Sequence, residues 1–146
     1  MAETAGAING TLIKLYKDVA GTLKPIANLV SDDFNIDKTM IEVTSKSSGA
    51  GSEFITGRYT WSCSAESITE YDTSVGSSEM SLQDILTDLL AGTSWSVVIG
   101  TGTTGDLKLS GTAYISNVAG SNPDNDKSTF TCDFQGTGVL TVGTFA

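Results

Sequence analysis

Apolar and polar residues alternate in short runs along most of the chain, and Gly, Ser, Asn or Asp bounds the runs. That period of two marks half-buried strands. The clearest run is 57–65, where Tyr59, Trp61, Cys63 and Ala65 fall on one face and Thr60, Ser62 and Ser64 on the other. A first strand is expected around Leu12, Leu15 and Tyr16. A second covers 40–44, with Ile41 and Val43 opposite Met40, Glu42 and Thr44. Further strands are expected at 95–99, 107–118, 128–134 and 139–145. The count predicts a mostly β chain folded as a β-sandwich or small barrel.

One segment breaks the pattern. Between Ser81 and Gly92, the residues Leu82, Ile85, Leu86, Leu89 and Leu90 recur at helical spacing, which predicts one short flanking α-helix at about 81–91. Ser81 is placed to cap its start with Asp84 closing a capping box, and Gly92 to end it in a left-handed turn. A helix this short is marginal alone, so its apolar stripe is expected to lie on a sheet. Residues 45–52 and 120–127 read as loops, being rich in Ser, Gly, Asn and Asp.

A length of 146 residues fits one domain, 1–146, with a flexible N-terminal arm at about 1–10. Thr, Ser and Gly dominate, with 20 Thr, 18 Ser and 16 Gly, while charged residues make up only 17%. This favours strands and turns over helices. The net charge of −9 argues against a sequence-independent grip on nucleic acid, which needs clustered cations. The first ten residues hold Glu3 and no cation, so no signal peptide is expected, and no stretch is apolar and long enough to span a membrane.

Candidate chemistry is sparse. The chain has no His, which removes the commonest catalytic base and metal ligand. The loop 100–105 has the spacing of a dinucleotide-binding glycine motif, but strand alternation follows it where that mechanism needs a helix N-terminus. A hairpin turn is expected there. Asp124, Asn125 and Asp126 could offer oxygens to calcium but lack the glycine and distal Glu of a helix-loop-helix site, so they read as a solvated turn. Asp72, Thr73 and Ser74 form half of an aspartic-protease signature, with Ser in place of Gly and no second copy. Cys63 and Cys132 each sit on the apolar face of a strand and read as reduced core residues. No enzyme, cofactor or metal site is expected.

Several short segments follow one another in a distinctive order over most of the chain: Lys14, Leu15, Tyr16; Pro25, Ile26, Ala27 and the following 31–36; and 41–48. After them come the Gly-x-x-x-Trp strand from Gly57 to Trp61, the Gly-x-Ala-Tyr-Ile strand from Gly111 to Ile115, and the closing Phe-x-Gly-x-Gly-x-Leu from Phe134 to Leu140. This order resembles that of the major tail tube proteins of long-tailed bacteriophages, of the lactococcal type. The resemblance implies a structural virion protein with a tail-tube-like fold. Copies would close into hexameric rings that stack into a hollow tube, through which DNA passes without specific binding. The implied partners are further copies, a tail terminator, a tape measure and distal tail or baseplate proteins. Assembly would occur in the host cytoplasm, with no membrane involved.

Two sets of residues follow as candidates. Ring stacking is assigned to the loop 45–56, with Lys46 and Glu53 at a wet rim and Phe54 as apolar anchor, unless Phe54 merely packs on its own subunit. Asp32, Asp33, Asp37 and Glu42, on strands the resemblance places at the inner sheet, are candidates to line the lumen, their alternative role being solubility. The rival class is a monomeric β-sandwich binding or adhesion module, which should expose aromatics; here the aromatics fall mostly on apolar strand faces.

Overall fold

The computed structural model describes residue 6 and residues 9–69 and 79–146. A 3-10 turn at Gly10–Leu12 precedes strands β1 (Lys14–Val19), β2 (Thr22–Pro25), β3 (Leu29–Glu42) and β4 (Phe54–Ile68). Helix α1 (Leu82–Ala91) follows, then β5 (Ser94–Gly100), β6 (Leu107–Ser121) and β7 (Thr129–Thr144). All seven strands form one antiparallel sheet in the order β2-β1-β5-β6-β7-β4-β3. The sheet curls until β3 approaches β1, giving the open barrel that the alternation predicts.

The core fills the concave side. Leu15, Trp61, Cys63, Ala65, Trp95, Val97, Ala113, Phe130, Cys132 and Phe134 are all buried there, each on the alternating face of its strand. Helix α1 packs onto the same side through the fully buried Ile85. Its ends are as the sequence predicts: Ser81 and Asp84 complete a reciprocal capping box, and Gly92 adopts φ 70°. Asp88 then ties helix to sheet. It accepts hydrogen bonds from Trp95 Nε1 at 2.7 Å and from Lys17 Nζ at 2.9 Å, and the Lys17 ammonium lies 5.0 Å from the Trp95 ring centre.

Several sequence expectations change. Leu12 lies in the 3-10 turn, and the first strand begins at Lys14. The strand expected at 40–44 is the end of a much longer β3, because the Asp32-Asp33 step interrupts the alternation and hides its first half. The strands expected at 128–134 and 139–145 are one continuous β7, with an irregularity where Gly138 takes φ 73°. The helix buries less than its pattern suggests: Leu86 is 39% and Leu90 86% exposed. At ~100° per residue, these two turn away from the line of Leu82, Ile85 and Leu89 that meets the sheet. The loop 100–105 is indeed a hairpin turn between β5 and β6. Asp72, Thr73 and Ser74 and most of the N-terminal arm lie outside the described residues.

Candidate functional site

The four longest strands, β3, β4, β7 and β6, stand side by side, with 14 to 16 residues each against 4 to 7 in the others. Both flanks of this four-stranded segment carry open backbone. On one flank β3 is the terminal strand of the sheet. On the other, β5 pairs with β6 only from Lys108 to Tyr114, leaving 115–121 of β6 without a strand partner on that side among the described residues. Unpaired strand edges recruit other chains, and proteins that stay monomeric guard them with Lys, Pro or cover. Strand β3 carries a single Lys, Lys38, and no Pro. Val30, Phe34, Ile36 and Met40 along it are 43–58% exposed.

Register decides which way each side chain of β3 looks. Asp32, Phe34 and Ile36 pair with Ala65, Cys63 and Trp61 and so share the core-side face. Asp33, Asn35 and Asp37 pair with Ser64, Ser62 and Thr60 on the outer face, where Ser64 and Ser62 lie in turn beside Asp133 and Gln135 of β7. The four candidate lumen acids therefore do not act as one set. Asp33 and Asp37 join Glu66 and Asp133 on a polar outer face; Asp32 and Glu42 point to the other side. Asp32 is half-buried, and burial, followed by the neighbouring charge of Asp33, raises its carboxyl above the ordinary value.

The loop 43–53 that joins β3 to β4 is built from its own polar groups. Val43 N–H donates to Glu53 O at 2.8 Å, Glu53 N–H to Thr44 Oγ1 at 2.8 Å, and Ser48 Oγ to Glu53 Oε2 at 3.0 Å. Glu53 is thereby committed to its own loop, whereas Lys46 is exposed and has no partner among the described residues. Phe54 is 55% exposed, so it does not bury itself on its own subunit. A register slip between Lys38 and Met40 puts Phe54 on the face of Glu42, while Ile41 and Ile55 share the opposite face. The arm beyond Lys38 is thus apolar and exposed on both sides, with Met40 and Phe54 on one and Ile41 and Ile55 on the other.

Sequence reasoning missed Phe34. It lies on the core-side face yet is 55% exposed, at a cleft of about 290 Å³ shared with Ile13, Ile99, Leu107 and Leu109. Among the described residues the exposed aromatics do not form a platform. Phe34 and Phe54 lie at the two halves of the β3–β4 hairpin, and Tyr114 pairs with Gln135 on the outer face of β6.

Among the described residues no three of His, Cys, Asp and Glu converge to hold a metal ion. Burial pushes both thiols up, Cys63 and Cys132 each to about 12, so neither supplies a thiolate near neutral pH.

Solved structures share this architecture. A chain in the virion of the native gene transfer agent particle superposes with a TM-score of 0.76 at 16% identity, over 94% of this chain and 100% of that one. A chain in the tail of the empty gene transfer agent particle, refined with C6 symmetry, is 17% identical over the same shares of each chain, with a TM-score of 0.76. The SPP1 tail tube gives 0.67 at 13% identity, over 94% and 80%. At such identities the likeness is one of fold. No curated protein sequence matches the chain. The model of the family described as phage tail tube protein matches residues 9–142, which takes in both free edges, the β3–β4 arm and the helix, and the chain belongs to that family.

Proposed function

We propose that copies of this protein close into six-membered rings that stack into a hollow conduit for DNA in the virion tail. The observation that carries the reading is the pair of open edges on opposite flanks of the four long strands. Strand β3 is antiparallel to β4, β4 to β7 and β7 to β6, so β3 of one copy meets β6 of the next in antiparallel sense when the copies are related by rotation. Pairing β3 with 115–121 of a neighbour satisfies both edges and continues the sheet around the ring, which abolishes edges altogether. The six-fold count comes from the C6 symmetry of the gene transfer agent tail.

The polar outer face bearing Asp33 and Asp37 then lines the bore, where fixed negative charge keeps phosphate from adhering. Stacking uses the arm 45–56, with Phe54 as its apolar anchor and Lys46 at its rim. Asp32 and Glu42 lie on the face turned from the bore. The protein acts as a scaffold without catalysis. The tube assembles in the host cytoplasm and ends on a tail terminator and a distal tail or baseplate assembly, with a tape measure protein inside.

Size exclusion and negative-stain microscopy of the purified chain test the reading: rings or tubes are expected, and a lasting monomer at high concentration overturns it. Deleting 47–52 should leave a folded protein that forms rings but no tubes. Full-length tubes from the deletion variant would remove the arm from stacking.

A further inference from the structure

The charges of the long strands are sorted by height. Asn35, Ser62, Gln135 and Tyr114 form one cross-strand row that divides β3, β4, β7 and β6 into halves. On one side, together with the turn 122–128, stand Asp32, Asp33, Glu66, Asp124, Asp126 and Asp133, with Lys127 the one cation. On the other side, with the loop 43–53, Lys38, Lys46, Arg58 and Lys108 stand against Asp37, Glu42, Glu53 and the mostly buried Asp106. One end of the strands is therefore strongly acidic and the other balanced, with its exposed cations on the apolar arm and at its base.

From this polarity we infer that stacked copies meet head to tail through unlike charge, Lys46 on the arm of one copy and Arg58 at its base facing Asp124 and Asp126 in the turn 122–128 of the next. The inference rests on the tube reading above and names the partner surface for its arm. Strands in a closed barrel tilt by about 35–45° from its axis, so their two ends face opposite mouths of the ring. A contact between unlike ends is heterologous; it does not close and so propagates as an open filament. Stacking acidic end on acidic end would set like charges together, which disfavours that arrangement. Each exposed pair contributes little and is screened by salt, but the ring repeats the pair around its whole mouth. The apolar faces of the arm give the contact its hold, and the charges give it direction.

Two reversal variants and one restoring variant test this. Lys46→Glu with Arg58→Glu, and separately Asp124→Lys with Asp126→Lys, should each give rings but no tubes in negative stain at low salt. The fourfold variant, with both ends reversed, should form tubes again. The unmodified protein should elongate about tenfold more slowly at 500 mM than at 50 mM salt, since the Debye length falls several-fold toward ~3–4 Å. Tubes of ordinary length from both reversal variants would overturn the inference, as would elongation indifferent to salt or a fourfold variant that stays as rings. These results leave the tube reading standing. An unmodified protein that remains monomeric removes both.

Discussion

The indole of Trp61 lies where any side chain on Gly136 would have to be: a Cβ built on Gly136 would stand 2.2 Å from the ring. The same ring reaches across to Gly111, where a Cβ would meet it at 2.6 Å. Glycines on β7 and β6 thus form a shallow trough across two strands, and Trp61 from β4 fills it, 3% exposed. The close approach explains why these two strands carry a glycine at mid-length, where it ordinarily weakens a strand.

Gly136→Ala is therefore expected to destabilise the fold by about 1–3 kcal/mol, because the indole is buried in a close-packed core and must shift to admit the methyl group. For a chain of this size each kcal/mol lowers the melting temperature by about 2–4 °C. Gly143→Ala on the same strand adds a Cβ into open space and should change little. Equal melting temperatures for the two variants, read by circular dichroism, would show that the ring shifts freely.

Asp88 is the second structural commitment. Its carboxylate is the acceptor for both the Trp95 indole N–H and the Lys17 ammonium, and the Lys17 and Asp88 side chains are only 16% and 17% exposed. Asp88→Ala strands two buried donors at once and should cost about 2–4 kcal/mol. Lys17→Met keeps the apolar stem over Trp95 and leaves Asp88 its indole partner, so it should cost less. Urea unfolding of both variants, with the midpoints compared, checks the order. A Lys17 variant that loses more than the Asp88 variant contradicts it.

Much of this fold was legible from alternation alone. The strand of Trp61, Cys63 and Ala65, the helix with both caps, and the turn after Gly100 are where the pattern puts them, since local spacing and cap chemistry specify them. What alternation does not carry is the reason for a residue that answers to a distant strand. Gly111 and Gly136 stand out in the sequence, but the ring that requires them lies on β4, 50 and 75 positions earlier. Strand β3 was half hidden for a related reason. Its core-side residues Phe34 and Ile36 are only half covered, so the chain there need not keep a clean apolar face. The faces of Asp32, Asp33, Asp37 and Glu42 depend on register, which a slip of one residue inverts.

Asp32 gives a pH dependence with a definite sign. Burial and Asp33 raise its carboxyl in the folded chain above the unfolded value of about 3.8, so the folded state holds its proton longer. Stability is consequently lost as pH rises from the unfolded value through the raised folded one. Asp32→Asn, which removes the charge and keeps the shape, should raise the melting temperature at pH 7 and leave it unchanged at pH 3. The opposite result, a loss at pH 7, would mean that the carboxylate has a favourable partner.

Cys63 and Cys132 should be silent to alkylation in the native protein. With both thiols at about 12, roughly one in ten thousand is ionised at pH 8, and the surrounding core excludes reagent. Iodoacetamide at pH 8 is expected to label neither in buffer and both in denaturing urea, as counted by intact mass. Labelling in buffer faster than global unfolding would reveal local opening between β4 and β7.

The acids of β3 allow the lumen assignment to be tested face against face. Asp33 and Asp37 lie on the outer face beside Ser64 and Thr60, and Asp32 and Glu42 on the other, although all four belong to one strand and each pair has one member on either side of Asn35. Two reversals of equal charge therefore separate the effect of the bore from that of net charge. Asp33→Lys with Asp37→Lys should permit tubes but slow DNA ejection from assembled particles, because cations in a narrow bore bind phosphate and release it slowly. The delay should shrink as salt rises and the Debye length falls. Asp32→Lys with Glu42→Lys makes the same change in net charge on the face turned from the bore. It should leave ejection kinetics alone wherever tubes form. Equal delays from both pairs would assign the effect to net charge, and no delay from either would leave solubility as the role of all four carboxylates.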